Sequence, residues 1–220
     1  ATDTQTQGRG RIDRVWSSPP GASLAVSVFV RLDFASLDPR RLGWLPLLAG
    51  VAMTRAAREL GVRGAGLKWP NDVLVDGRKL SGLLTELTPH GVVIGAGLNI
   101  AMTSGQLPVP TATSLAIEGV ADDGANGSLT DRALAAYLRA LLDLLAEWRE
   151  APTAGALRAL VEPVLSTLGA AVRVDQPGIL PLRGTAVGLD DDGRLLVRPA
   201  SGTSADIAVS AGDVTHLRYE

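Results

Sequence analysis

The sequence of 220 residues carries 21 Lys and Arg against 23 Asp and Glu, a net charge of −2, with 46% hydrophobic and 20% charged residues. Such a composition excludes a disordered chain and a polyelectrolyte for nucleic acid, so an anion site has to be a local concentration of Arg and Lys. The absence of cysteine excludes disulfides, and the two histidines, His90 and His216, stand too far apart in sequence to suggest a metal site.

The stretch QTQGRGRIDR at 5–14 places three arginines and two glycines within 8–14 and runs on into Val15-Trp16-Ser17-Ser18-Pro19. Glycine lets backbone approach a ligand closely, and Arg9, Arg11 and Arg14 offer permanently charged planar donors for carboxylate or phosphate. On this stretch alone a solvated basic turn and an anion-binding loop are equally open. A Rossmann or Walker loop is disfavoured, because neither G-x-G-x-x-G nor Gly-Lys-Ser/Thr occurs.

Leu24, Val26, Val28 and Val30 alternate along 23–31 and predict a strand. Asp38-Pro39 makes an N-cap and first turn, and Leu45, Leu48, Ala52, Ala56 and Leu60 continue at helical spacing to a stop at Gly61, with Pro46 limiting the start. Asp76-Gly77, between Val73-Leu74-Val75 and 80–87, predicts a two-residue hairpin. In that register Val75 faces Arg78, Leu74 faces Lys79 and Asp72 faces Ser81, so Asp72, Lys79 and Ser81 share a sheet face. A Lys79–Asp72 pair near Asn71 suits an anionic substrate and a metal-bound nucleotide; the plainer reading is an exposed pair contributing ~0–1 kcal/mol.

Residues 92–98 predict a buried strand ending in Asn99, and a loop rich in Pro, Thr, Gly and Asp fills 102–129. Thr130 then caps a helix to about Arg149 with a stripe of Leu134, Leu138, Leu141, Leu145 and Trp148, and a shorter helix follows over about 154–167, interrupted by Pro163. After Gly169, alternating runs at 172–174, 185–189, 195–197 and 207–209 are separated by turns such as Asp190-Asp191-Asp192-Gly193, which predicts a small antiparallel barrel. The expected architecture is α/β (α+β), with one domain over 1–167 and the barrel over 168–220. Of the four tryptophans, Trp44 and Trp148 read as core, while Trp16 and Trp69, in loop-like surroundings, are the candidates for binding. No apolar run reaches the ~18–20 residues of a membrane span and no signal peptide opens the chain, so the expected setting is the cytoplasm.

Taken together, QTQGRGRIDRVWSSPPGASLAVSVFVR, KWPNDVLVDGRKLSGLLTEL and VVIGAGLNI resemble the catalytic core of biotin protein ligases in order, spacing and strand context, from about residue 3 to 118. The resemblance implies a class II aminoacyl-tRNA synthetase-like domain with a mixed sheet, followed by a small SH3-like barrel. It implies synthesis of biotinyl-5′-AMP from biotin and ATP with magnesium, then transfer of the biotinyl group to a lysine of biotin carboxyl carrier protein. Carried over position by position, Gln5, Gly8, Arg9, Arg11, Lys79 and Gly82 are implied for biotin. Arg11, Arg14, Trp16, Asn71 and Asn99 are implied for ATP and its phosphates, and Asp72 for magnesium through the nucleotide. Lys79, Arg11 and Asp72 carry the implied catalysis, and the segment Thr113-Ser114-Leu115 resembles the one near the adenine.

Family members carry a Ser/Thr-Asn segment and a helix ahead of the glutamine, and repressor members an N-terminal winged helix; neither is in these residues. The expectation is therefore the monofunctional type, with no nucleic-acid partner, as a monomer or weak homodimer. The rival readings are a lipoate- or octanoate-type ligase of the same fold, a non-catalytic biotin-binding protein, and a nucleic-acid module using 9–14. The residue types suit acyl activation: a carboxylate is a poor acyl donor until joined to phosphate, and cations offset the charge that builds on the phosphoryl oxygens. An adenylate also needs protection from water, which the arginine loop and Trp16 would give as a lid.

Overall fold

The computed structural model describes residues 1–10, 15–122, 124, 127–176, 178–200, 202, 205–210 and 212–217. A short hairpin comes first, β1 (Gln5–Arg9) paired antiparallel with β2 (Val15–Ser18). The strands β3 (Ser23–Arg31), β4 (Ala65–Lys68), β5 (Asp72–Val75), β6 (Arg78–Thr88) and β7 (Gly91–Asn99) form a five-stranded sheet in the order β3-β7-β6-β5-β4. Neighbouring strands pair antiparallel, and two isolated parallel bridges, Leu67–Leu165 and Lys79–Ala112, tie segments outside the sheet to it. The helices are α1 (Trp44–Glu59), α2 (Leu129–Glu150) and α3 (Ala154–Val161).

The two faces of the sheet have opposite characters, as period-2 alternation requires. Leu24, Val26 and Val30 on β3, Leu80 and Leu83 on β6, and Val92, Ile94, Ala96 and Leu98 on β7 are buried. That face meets α1 and α2, whose Trp44, Leu48, Met53, Tyr137, Leu141 and Trp148 complete the core. The other face carries aligned rows across β3, β7 and β6: Ala25–Gly97–Gly82, Ser27–Gly95–Leu84 and Phe29–Val93–Glu86. Two of these rows are built mainly from small residues, which leaves a shallow floor on that side.

The β1/β2 hairpin arches over this floor. At one end Thr2 exchanges two backbone hydrogen bonds of 2.8 Å with Ala25 on the β3 edge. At the other, Arg9 Nη2 reaches Glu86 Oε2 on β6 at 3.1 Å.

The C-terminal strands β8 (Ala171–Gln176), β9 (Ile179–Leu189), β10 (Leu195–Pro199), β11 (Ile207–Val209) and β12 (Asp213–His216) form a second antiparallel sheet in the order β11-β10-β9-β8-β12. Its turn at 190–193 docks on the first unit: Trp44 Nε1 donates to Asp191 O at 3.0 Å and Trp69 Nε1 to Gly193 O at 3.2 Å. Arg158 of α3 adds a 2.9 Å hydrogen bond to Leu189 O and a 2.9 Å ion pair with Asp191. Among the described residues no helix is long and apolar enough to cross a membrane.

The structure corrects four sequence expectations. Trp69 is buried at 3% exposure with its indole spent on Gly193, so it is an interface residue and not a ligand-binding one. The helix α2 is capped by Ser128, whose Oγ accepts from Asp131 N at 3.1 Å, and not by Thr130, which lies inside the first turn. The helix α3 ends at Val161 and gives way to a 3₁₀ turn over Glu162–Val164, where Pro163 lacks the N–H that an α-helix would use. Asp72 faces Gly82, not Ser81, because a bulge interrupts the β5–β6 register between Val73 and Leu74.

Candidate functional site

The hairpin turn itself forms as the sequence predicts. Asp76 (φ 50) and Gly77 (φ 78) both take left-handed backbone angles, the requirement of a tight two-residue turn between twisted strands. Leu74 then opposes Lys79 and Val75 opposes Arg78. One residue further the bulge intervenes, with Leu80 and Ser81 both buried in succession. An extra residue resets the alternation of a strand. The consequence is that Lys79 and Gly82, three apart in sequence, look out over the same face, while Ser81 turns inward and donates its Oγ to Gly97 O at 2.6 Å.

Lys79 Nζ and Asp72 Oδ1 form an ion pair at 2.6 Å, with side chains 35% and 21% exposed. Gly82 makes room for it. A Cβ there would stand 3.0 Å from both Cε and Nζ of Lys79 and 3.6 Å from Asp72 Oδ1. The pair thus sits at the end of the Ala25–Gly97–Gly82 row, a cation and an anion beside a floor of small residues.

The backbone of Lys79 is fixed on its second edge as well. Its N–H donates to Thr111 O and its carbonyl accepts from Thr113 N, each at 2.8 Å. Asn99, at the end of β7, donates Nδ2 to Thr113 O at 2.8 Å. Its Oδ1 is buried with no hydrogen-bond partner among the described residues, an acceptor left for a ligand donor. Asn71 Nδ2 donates to Leu83 O at 2.6 Å while Leu83 N donates to Asn71 O at 2.9 Å, so Asn71 clamps β6 beside the site.

In the hairpin above, Gln5 is half-buried opposite Ser18, and Gly8 is buried opposite Trp16. Arg9 is largely exposed and turned onto Glu86. The backbone of Trp16 runs in β2, and its side chain lies outside what is described, as do Arg11 and Arg14 altogether. The structure therefore brings Lys79, Asp72 and Gly82 together, links Asn99 to Lys79 through Thr113, and sets Asn71 against β6 beside them, while Gln5, Gly8 and Arg9 lie on β1. Sequence reasoning missed the backbone role of Thr111 and Thr113, which no local pattern announces.

No three His, Asp or Glu side chains converge among the described residues, and Asp72 is already paired with Lys79. These groups do not make a resident metal site.

Comparison with known proteins completes the picture. The profile of the "Biotin/lipoate A/B protein ligase family" matches residues 1–99, and that of the "Biotin protein ligase C terminal domain" matches residues 167–217. The chain is 40% identical over 217 residues to the biotin--[acetyl-CoA-carboxylase] ligase of Mycobacterium tuberculosis, covering 97% of this chain and 77% of that protein. It is 33% identical to the bifunctional ligase/repressor BirA of Bacillus spizizenii, covering 93% of this chain and 64% of the longer protein. Among solved structures, biotin protein ligase from Aquifex aeolicus in complex with biotin and ATP superposes with a TM-score of 0.76 at 27% identity, over 98% of this chain and 87% of that one.

Proposed function

This chain belongs to the biotin protein ligase family, and on that premise we propose that it joins biotin to ATP and passes the biotinyl group to a carrier protein. The observation that carries the reading is the Lys79–Asp72 pair at the end of the small-residue floor, under the β1/β2 hairpin. In the first step a biotin carboxylate oxygen attacks the α-phosphorus of ATP, the bond to the β-phosphate oxygen breaks, and pyrophosphate leaves. In the second, a lysine amine of the carrier attacks the acyl carbon, AMP leaves, and the amine proton passes to a base.

The Lys79 ammonium serves the first step by offsetting charge on the carboxylate and phosphoryl oxygens, where a partly buried cation acts more strongly than one in water. Asp72 holds that ammonium in place beforehand and is the nearest carboxylate to serve as base for the second step. Gly82, Gly97 and Ala25 offer a flat seat for the fused rings of biotin, with Gln5, Gly8 and Arg9 above. Asn99 Oδ1 is available to a nucleotide hydroxyl or amino group, and Asn71 supports that side. Arg11, Arg14 and Trp16, whose side chains lie outside what is described, are the residues we assign to the adenylate and its phosphates. Asp72 is the carboxylate that would face magnesium bound with ATP, which would supply further offset of charge on the phosphate oxygens.

The acceptor lysine is that of biotin carboxyl carrier protein, the substrate implied by relatives named for acetyl-CoA carboxylase. Residues 1–167 make the catalytic domain and 168–220 the small β domain, acting in the cytoplasm as a monomer or weak homodimer, without nucleic acid. The test is pyrophosphate release from ATP in the presence of biotin, lipoate or neither. Release with biotin alone, followed by mass gain on a carrier domain, is the expected result; release with lipoate alone, or with neither ligand, overturns the reading.

A further inference from the structure

Beside Lys79 a ring of polar contacts closes through residues 40 positions apart in the chain. Thr113 N donates to Lys79 O at 2.8 Å, Thr113 Oγ1 donates to Glu118 Oε1, and that same oxygen pairs with Arg78 Nη2 at 2.9 Å. Arg78 is bonded covalently to Lys79, which completes the ring. Glu118 is 11% exposed in its side chain and Thr113 is fully buried, so water screens the Thr113–Glu118 contact little, whereas the Arg78 end of the pair is 40% exposed and is screened more. A carboxylate oxygen accepting from both a guanidinium and a hydroxyl makes charge-assisted bonds, stronger than neutral ones.

Every polar group of Thr113 is engaged. Its N–H goes to Lys79, its carbonyl accepts from Asn99 Nδ2 at 2.8 Å, and its hydroxyl goes to Glu118. Thr113 is therefore the spacer between Lys79 and Asn99, and Glu118 is what holds the spacer. We propose that Glu118 is a positioning residue of the site: through Thr113 and Arg78 it fixes the edge of β6 that carries Lys79, and with it the distance from Lys79 to Asn99. This rests on the reading of Lys79 as the cation that serves adenylate formation.

Without the Glu118 carboxylate the Thr113 hydroxyl is buried without an acceptor and Arg78 is released. The segment 111–118 then loosens from β6, and the ammonium loses its fixed height above the floor. The rings of biotin rest on Gly82, Gly97 and Ala25, which the ring of contacts does not include, so the seat for the rings is spared and only the hold of Lys79 on the reacting oxygens loosens.

The experiment uses Glu118→Ala and Glu118→Gln in the full chain, with Arg139→Ala as a control that breaks the exposed Arg139–Glu59 pair elsewhere. Two quantities are read: hydrogen exchange at the Lys79 and Thr113 amides, and the single-turnover rate of biotinyl-AMP formation with KM for biotin. In Glu118→Ala the two amides should exchange at least ~10-fold faster, and adenylation should slow ~10-fold or more while KM for biotin changes by less than ~3-fold, the signature of misplacement. Glu118→Gln keeps an acceptor for Thr113 and should recover part of both effects; it also carries the test if the alanine variant does not fold. Unchanged amide exchange overturns the ring, and faster exchange with a wild-type rate overturns the positioning role. A wild-type chain that makes no biotinyl-AMP would instead overturn the proposed function, and the positioning role with it, while the exchange still decides whether the ring exists.

Discussion

Trp69 donates its indole N–H to the carbonyl of Gly193 at 3.2 Å, and it stands three residues before Asp72 in the same segment. The backbone of Trp69 is held too: its N–H donates to Thr167 Oγ1 at 2.9 Å, and that oxygen lies 3.2 Å from His216 Nε2 on β12. The C-terminal sheet thus grips the strand connection that leads into the site. Trp69→Phe preserves most of the buried apolar surface and removes the donor, so a loss of about 1–3 kcal/mol is expected from the carbonyl left without it. Trp69→Ala adds a cavity and should cost about 3–5 kcal/mol. Urea denaturation of the two variants measures both, and a phenylalanine variant as stable as the parent would mean that the hydrogen bond contributes nothing.

Gly82→Ala separates geometry from stability. The new methyl meets the flexible end of Lys79 at 3.0 Å, and no backbone atom is among its close neighbours. A side-chain tip can move aside, so the thermal midpoint should change little, within about 1 kcal/mol in stability. The lysine that moves aside no longer stands over the Gly82–Gly97 row, and adenylate formation should fall ~10- to 100-fold. Stopped-flow adenylation beside a thermal melt decides the matter: a large drop in stability with a normal rate in the surviving folded protein would contradict this account.

Tyr137 gives a prediction about pH. It is fully buried in α2, burial pushes its phenol well above the ordinary value near 10, and its hydroxyl has no hydrogen-bond partner among the described residues. Below pH 10 both folded and unfolded chains hold the proton, and the phenol adds no pH dependence. Above it the unfolded chain ionises and the folded chain does not, so stability falls as pH rises. Tyr137→Phe removes this share of the alkaline loss and deletes an unsatisfied hydroxyl, so at pH 7 it should be neutral or slightly stabilising. Denaturation midpoints at pH 7 and at pH 10.5 would reveal it as a smaller alkaline decline than in the parent.

Much of this was legible in local pattern, and the rest depended on contacts that no window of sequence contains. The strand at β3, the hairpin at Asp76-Gly77 and the helix of Trp44–Glu59 follow from alternation, turn chemistry and helical spacing, all short-range signals. The bulge at Leu80–Ser81 was not legible, because both strands read as regular runs and the register resets only where the side chains meet the core. Trp69 misled for a similar reason: Pro70 and Asn71 make its surroundings look like an exposed loop, while a turn more than a hundred residues later covers it. The Lys79–Asp72 pairing survived the bulge because Gly82, and not Ser81, took the place opposite Asp72.

The Lys79–Asp72 pair predicts two variants that fail at different steps. Lys79→Ala removes the cation at the reacting oxygens, and loss of one such stabilising group typically lowers a rate ~10²- to 10³-fold. Adenylate formation should fall by that amount, and transfer from preformed biotinyl-AMP should fall as well if the ammonium also steadies the departing AMP. Asp72→Asn keeps the size of the side chain and leaves Lys79 charged but without its anion. Adenylation should then drop only modestly, because the cation remains, whereas transfer to the carrier lysine should slow by at least ~10²-fold if Asp72 accepts the amine proton. Single-turnover transfer from purified biotinyl-AMP, followed by the mass of the carrier across pH 6–9, separates the two. Equal slowing of both half-reactions by Asp72→Asn would assign Asp72 to holding Lys79 alone, and an unchanged transfer rate would remove it as the base.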